Sequence, residues 1–290
     1  MIKHLVVVGV GLIGGSFALD LKRLGLVKQV TGIGRSRANL ETALELGIVD
    51  RIGADLASAA ASADLILLSA PVGAMPGLFQ QLAAVLPERC IVTDAGSTKQ
   101  DVIAAARAGL LGRIGQFVPG HPIAGAETNG SSAARAGLYD DKPFILTPLA
   151  ENQAEDVALV ESLWRSCGAR VARMDAALHD QVFAAVSHLP HLLAFALMDE
   201  LASRPLAEVY FRYAGAGLRD ATRIAGSHPE MWRDISLANS DALLNELDAL
   251  GEKLKSLRDL VAAKDGAALE QVFARARAAR SNWLQGMYNE

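Results

Sequence analysis

Apolar positions in the first 174 residues fall into short, largely β-branched runs separated by amphipathic stretches. Leu5–Val8, Gln29–Ile33, Leu65–Ser69, Cys90–Asp94, Phe117–Val118, Phe144–Thr147 and Arg170–Met174 read as strands. Helical periodicity fills several of the gaps, over Gly14–Leu24, Arg37–Leu46 and Lys99–Ala108. Strand and helix in alternation predict an α/β fold with a mainly parallel, doubly wound sheet. From Asp175 onward strand patterns cease, and long helical segments are punctuated at Pro190, Pro205, Gly226, Pro229 and Gly266. The chain is therefore divided at 174/175, with an all-helical part over 175–290. In that part Leu243, Leu247, Leu250, Leu254, Leu257 and Val261 alternate steps of four and three, the seam of a helix that packs on another helix. An intrachain bundle and a dimer contact are both served by it.

Composition narrows the class. Half of the 290 residues are hydrophobic (51%), which excludes disorder, and the 26 Gly and 10 Pro show no repeat. With 28 Lys+Arg against 32 Asp+Glu, the net charge of -4 offers no broad cationic face for nucleic acid or anionic lipid. Anionic ligands must be held by a few local cations. The two cysteines, Cys90 and Cys167, lack disulfide-framework or zinc-ribbon spacing, which points to the cytoplasm. Lys3 and the apolar run to Leu19 imitate an export signal, but Gly9, Gly11, Gly14 and Gly15 interrupt it. No stretch of about 20 apolar residues is expected to span a membrane.

Those glycines carry chemistry. The first strand runs into Gly9-Val10-Gly11-Leu12-Ile13-Gly14 and a helix follows, the GxGxxG context of a dinucleotide-binding βαβ unit. Residues 1–174 are accordingly the dinucleotide-binding domain, with Gly9, Gly11, Leu12, Ile13 and Gly14 at the pyrophosphate. About 20 residues further on, NAD sites place a carboxylate for the ribose hydroxyls. Here the chain reads Gly34-Arg35-Ser36-Arg37, and the next acid is Glu41. Guanidinium and hydroxyl groups suit a 2′-phosphate, so Arg35 and Ser36 favour NADP, with NAD as the alternative.

Two polar loops follow strands whose carboxyl ends would face such a cofactor: Asp94–Lys99 and Gly120–Gly130. His121, set between Gly120 and Pro122, is constrained, and its pKa range suits proton transfer near neutrality. In the helical part Ser187-His188-Leu189-Pro190-His191 carries two imidazoles, with His179-Asp180 one to two turns upstream. Without HExxH or clustered carboxylates, no metal site is expected. Arg219 and Arg223 stand four apart, with Asp220 beside them, and predict one charged helix face.

The segments 9–16, 94–99, 120–127, 187–191, 217–225 and 228–232 together resemble, in order and nearly end to end, the prephenate/arogenate dehydrogenase family of tyrosine biosynthesis. The resemblance implies a nucleotide-binding domain followed by a helical substrate-binding and dimerisation domain, and so a homodimer. It implies oxidative decarboxylation: hydride leaves C4 of a cyclohexadienol for NAD(P), the hydroxyl loses its proton, and CO2 departs from C1. By the same resemblance the catalytic histidine is His121 with Ser97 as a second contact. A small dicarboxylate would meet His191, Arg223 and Arg219, while Glu127 and Asp220 shape access. The length leaves no room for an appended regulatory or mutase domain, so tyrosine feedback would act at the active site. Another Rossmann-type dehydrogenase or imine reductase, or a non-catalytic NADP sensor, would share the glycines. Neither would need the Gly-His-Pro loop together with paired arginines.

Overall fold

The computed structural model describes residues 1–125 and 128–286. From its start the chain forms β1 (Ile2–Val8), α1 (Leu12–Arg23), β2 (Val27–Ile33), α2 (Arg37–Glu45), the short β3 (Arg51–Ile52) and α3 (Leu56–Ala60). It continues through β4 (Leu65–Leu68), α4 (Met75–Ala83), β5 (Ile91–Asp94), α5 (Gln100–Gly109) and β6 (Phe117–Val118). Every pair in this sheet is parallel, in the order β3-β2-β1-β4-β5-β6. Alternation along β1 feeds both faces. Leu5 and Val7 join a core with Phe17 and Leu21 of α1, whereas Val6 and Val8 join one with Met75 and Phe79 of α4 and Val102 of α5. Strand order reverses between β1 and β4, so a crevice opens beyond their carboxyl ends.

Beyond β6 a second, smaller sheet follows the doubly wound parallel one. β7 (Gly120–Pro122), β8 (Pro143–Leu146) and β9 (Arg170–Arg173) form a separate sheet, with β7 antiparallel to β8 and β9 parallel to it. Pro119 and Pro122 have no N–H to continue the edge at β6. The chain pairs instead with β8, through Thr147 N–H to Pro119 O (3.1 Å) and Ile123 N–H to Pro143 O (2.8 Å). Helix α6 (Ala154–Ser166) closes this layer: Trp164, fully buried, stacks on Phe144 at 4.1 Å and meets Phe17 and Tyr139 at 4.5 and 4.9 Å. Gly120 is required beneath that stack, because a Cβ there would lie 2.3 Å from the Phe144 ring.

From Asp175 the chain is helical, as its pattern predicts. Asp175 caps α7 (Ala176–Phe183), accepting from the N–H groups of Ala177 and Leu178 at 2.8 and 3.2 Å. A π-turn at Ala184–His188 leads into α8 (Leu189–Ala202), and Pro190, which has no N–H for the helical ladder, stands just after that turn. Then come α9 (Ala207–Arg212), α10 (Ala216–Thr222), a 3-10 turn at Arg223–Gly226 and α11 (Pro229–Ala238). All of these belong to one compact unit with the sheets, Met1–Ser240. The reason is packing: Trp232 and Ile235 of α11 complete the core of Phe79 and Val102. The second unit, from Asp241, holds α12 (Ser240–Ala262) and α13 (Gly266–Leu284). The leucine seam is helical, and Leu254 (54% exposed), Val261 (62%) and Trp283 (62%) lie open in the single chain.

The helical run Ala176–Ala202 spans 27 residues and reaches a mean hydropathy of 1.4, long and apolar enough by composition to cross a bilayer. Counting unbroken apolar runs missed it, because His179, Asp180, His188 and His191 interrupt the run without ending the helical path.

Candidate active site

The β1–α1 turn is built around its glycines. Gly9 adopts φ +93°, and a Cβ there would meet the Ser69 carbonyl oxygen at 2.7 Å. The Ser69 hydroxyl donates to Gly9 O at 2.6 Å, and a Cβ on Gly14 would strike that same Oγ at 2.2 Å and Val7 at 2.7 Å. Gly11 differs: nothing lies within 4 Å of where its Cβ would be. It stands at the N-cap of α1, where no side chain caps the helix, so the amides of Leu12 and Ile13 are offered to an anion. A dinucleotide pyrophosphate fits this open, donor-rich turn.

Past β2, the Arg35 guanidinium is 78% exposed and bonds both carboxylate oxygens of Glu230 on α11, at 3.0 and 3.2 Å. Ser36 caps α2, its hydroxyl accepting from Asn39 N–H at 3.3 Å. Arg37 pairs with Glu41 at 2.8 Å. Each arginine of the loop thus already holds a carboxylate, which sequence spacing could not show for a partner 195 positions away.

At the carboxyl end of β5, Asp94 and Lys99 form a fully buried ion pair. Asp94 accepts from Gly96 N–H and Gly120 N–H, each at 2.9 Å, and the Lys99 ammonium donates to Gly120 O at 2.9 Å. The pair thereby clamps the residue before His121. The His121 ring sits half-buried against Phe183 (5.0 Å between ring centres), with Nδ1 2.9 Å from Nε2 of His179. His179 Nδ1 is in turn 2.8 Å from Asp180 Oδ1. Asp180 also accepts from the amides of Lys99 and Gln100, both at 2.8 Å, and so caps α5. Three elements distant in sequence, β7, α7 and α5, are joined by this chain.

Burial pulls the His121 pKa well below its ordinary value, and the charges of His179, Lys99 and His188 push the same way. His179 is likewise lowered by burial, against the opposing pull of Asp180. For Asp180, burial acts upward as the largest single effect, but the bonds from His179, Gln100 and Lys99 outweigh it and keep the carboxyl low. Burial also drops His188 to about 4. The Asn239 amide lies 3.2 Å from His188 Nδ1 and donates to Asp180 O at 2.8 Å.

The structure brings Ser97, half-buried, next to His188 through its main chain. His191 stacks on Trp232 at 3.6 Å, and its Nδ1 donates to Ser187 O at 2.9 Å. Its pKa is lowered by burial and also by the charge of Arg223, which places that guanidinium close by. Arg219 lies on α10, and Arg223 follows its last residue, Thr222, in helical backbone conformation at the start of the 3-10 turn. Arg219 and Asp220 stay exposed on α10. Glu127 lies outside the described residues. Sequence reasoning missed the roles of Asp94, Lys99, His179, Asp180 and Asn239. The polar loop at a strand end signalled the first two, while His179-Asp180 registered only as an unsupported metal spacing.

A dinucleotide turn on the doubly wound sheet, with a braced imidazole on the smaller sheet that follows it, defines an NAD(P)-dependent dehydrogenase. Residues 17–173 match the family model described as prephenate dehydrogenase, nucleotide-binding domain, and residues 175–275 the one described as prephenate dehydrogenase, dimerization domain. The chain is 38% identical to the cyclohexadienyl dehydrogenase of Zymomonas mobilis over 96% of its own length and 95% of that protein's. Among solved structures, prephenate dehydrogenase from A. aeolicus in complex with hydroxyphenyl propionate and NAD+ superposes with a TM-score of 0.90. It is 35% identical, with 97% of this chain and 98% of that one covered. Synechocystis arogenate dehydrogenase gives a TM-score of 0.79 at 30% identity, over 97% and 100% of the two chains. The chain belongs to the prephenate dehydrogenase family.

Proposed function

We propose that the protein oxidatively decarboxylates prephenate or arogenate, reducing NAD(P)+, in tyrosine biosynthesis. The observation that carries this reading is His121: a neutral imidazole held by a buried clamp beside the crevice, with Ser97, His191 and Arg223 within the same region. When bound, the nicotinamide takes the hydride from C4 of the substrate ring. His121 takes the proton of the C4 hydroxyl, with Ser97 as a second contact. His191 and Arg223 hold the carboxylates, Arg219 adds positive charge at the rim, and Glu127 and Asp220 shape entry. As the C1–CO2 bond breaks, its electron pair flows through the ring to the C4 oxygen, and His121 returns the proton there. No net proton is consumed, so the site needs no route to bulk water. In this division of labour residues 1–174 bind the dinucleotide, and 175–290 complete the substrate site and dimerise. We place the reaction in the cytoplasm, with neither nucleic acid nor a membrane as a partner. Incubation with prephenate and with arogenate, following reduced nucleotide, tests the reading; no reduction with either substrate would remove it.

For the cofactor we propose a preference for NADP. Arg35 and Ser36 stand where NAD sites carry an acid, and exposed Arg35 can exchange Glu230 for a 2′-phosphate. A charge-assisted hydrogen bond contributes about 1.5–3 kcal/mol, a preference on the order of 10–100-fold. Release of Glu230 sets it toward the lower end. Arg35→Asp should reverse the ratio of kcat/KM values for the two nucleotides. Equal use of both by the wild type would mean that Arg35 serves only Glu230.

The exposed apolar residues of α12 and α13 support a homodimer, since large apolar faces left in water are unfavourable. Sedimentation at micromolar concentration should give one species of twice the 30.6 kDa chain mass. A species of that single mass would contradict it.

A further inference from the structure

We propose that Asp180 and His179 are positioning residues that fix the tautomer of His121, placing its proton on Nδ1 and leaving Nε2 bare for the reacting hydroxyl. The proposal rests on the function proposed above for what the hydroxyl is, but its structural content stands on hydrogen-bond geometry together with the burial that keeps His179 neutral. It begins at the N-terminus of α5, where the amides of Lys99 and Gln100 both donate to the Asp180 carboxylate at 2.8 Å. An ionised carboxylate only accepts, so His179 Nδ1, 2.8 Å from Asp180 Oδ1, must carry a hydrogen. A neutral imidazole holds one ring proton, so His179 Nε2 is an acceptor. It lies 2.9 Å from His121 Nδ1, and that contact closes only if His121 carries its own proton on Nδ1. In neutral His121 the other nitrogen, Nε2, then has a free lone pair. Each choice is forced by the one before it.

Burial drives both rings toward the neutral form, in His179 against the pull of Asp180 and Asp94. Lys99 and His188 oppose a positive charge on His121 from the β5–α5 loop and the π-turn, and Asp94 and Asp180 are each committed to the donors already named. Phe183 packs against both imidazoles, at 5.0 and 4.5 Å, and fixes their planes. Loss of the tautomer would present an N–H to the substrate hydroxyl, and His121 could then donate to that oxygen but not take its proton. Asp180 and His179 do not receive the proton: His121 Nε2 accepts it and gives it back to the same oxygen once CO2 has left. Their contribution is orientation, as for the carboxylate behind the histidine of a hydrolase triad.

The test reads the tautomer directly. In the 15N-labelled full-length protein at neutral pH, without nucleotide, long-range 1H–15N histidine spectra should show His121 and His179 both as Nδ1–H forms. Loss of single signals in His121→Gln and His179→Gln assigns them. Asp180→Asn, which can present an amide N–H to His179, should populate the Nε2–H form of His121. In kinetics Asp180→Asn should lower kcat by about 10–10³-fold with KM changed little. His179→Phe should do the same, while His179→Gln, whose amide oxygen can accept from His121 Nδ1, should retain more turnover. A wild-type His121 signal of the Nε2–H form, or Asp180→Asn with unaltered tautomer and turnover, would overturn the proposal. If both Nδ1–H forms are present but neither prephenate nor arogenate is oxidised, the tautomer lock stands and the functional reading falls.

Discussion

Replacing His121 with alanine is expected to lower kcat by about 10²–10⁴-fold, the range for removal of a positioned acid–base group. Nucleotide affinity should hardly change, because the glycine turn draws on β1, α1 and Ser69 and makes no use of the imidazole. The pH dependence has a definite sign. Burial, with the charges of His179, Lys99 and His188, holds the His121 pKa below its ordinary 6.5, so protonation needs more acid than a free histidine would. Wild-type kcat should therefore stay level as pH falls through 6.5 and decline only below it. Steady-state kinetics across pH and a nucleotide-binding titration measure both effects. Retention of more than a tenth of the turnover would remove His121 from the chemistry.

Arg223→Ala is expected to act on binding. Removing one partner of a desolvated charge pair costs about 2–5 kcal/mol, or roughly thirtyfold to several-thousandfold in KM. The guanidinium is close enough to His191 to oppose its protonation, and His191 is stacked on Trp232. In a chain of net charge -4, a dicarboxylate depends on such local cations. Arg219→Ala should raise KM less, since it is the charge of Arg223, not of Arg219, that is felt at His191. An unchanged KM in the Arg223 variant would assign that residue to a structural role.

What the sequence disclosed follows from the range of the interactions involved. The glycine turn was legible because strand, GxGxxG and helix are contiguous, and the constraint on His121 because its neighbours are Gly120 and Pro122. The separate sheet of β7, β8 and β9 was not, since antiparallel pairing of β7 with β8 joins residues more than twenty positions apart. Asp180 illustrates the limit more sharply. Its carboxylate caps a helix 80 residues earlier and braces an imidazole 58 residues from its neighbour, and no local pattern encodes either contact. Arg35 was read correctly as the residue after β2, but its pairing with Glu230 arises from how α11 packs. Helix α7 looked interrupted by polar residues because His179 and Asp180 serve the site.

The most direct test of the central claim uses substrate deuterated at C4, with CO2 and reduced nucleotide measured together. Oxidation at C4 coupled to aromatisation predicts one CO2 for each reduced nucleotide, with the deuterium carried to the nicotinamide ring. Reduced nucleotide formed without CO2, or without the label, would contradict it and make the protein a dehydrogenase of another kind.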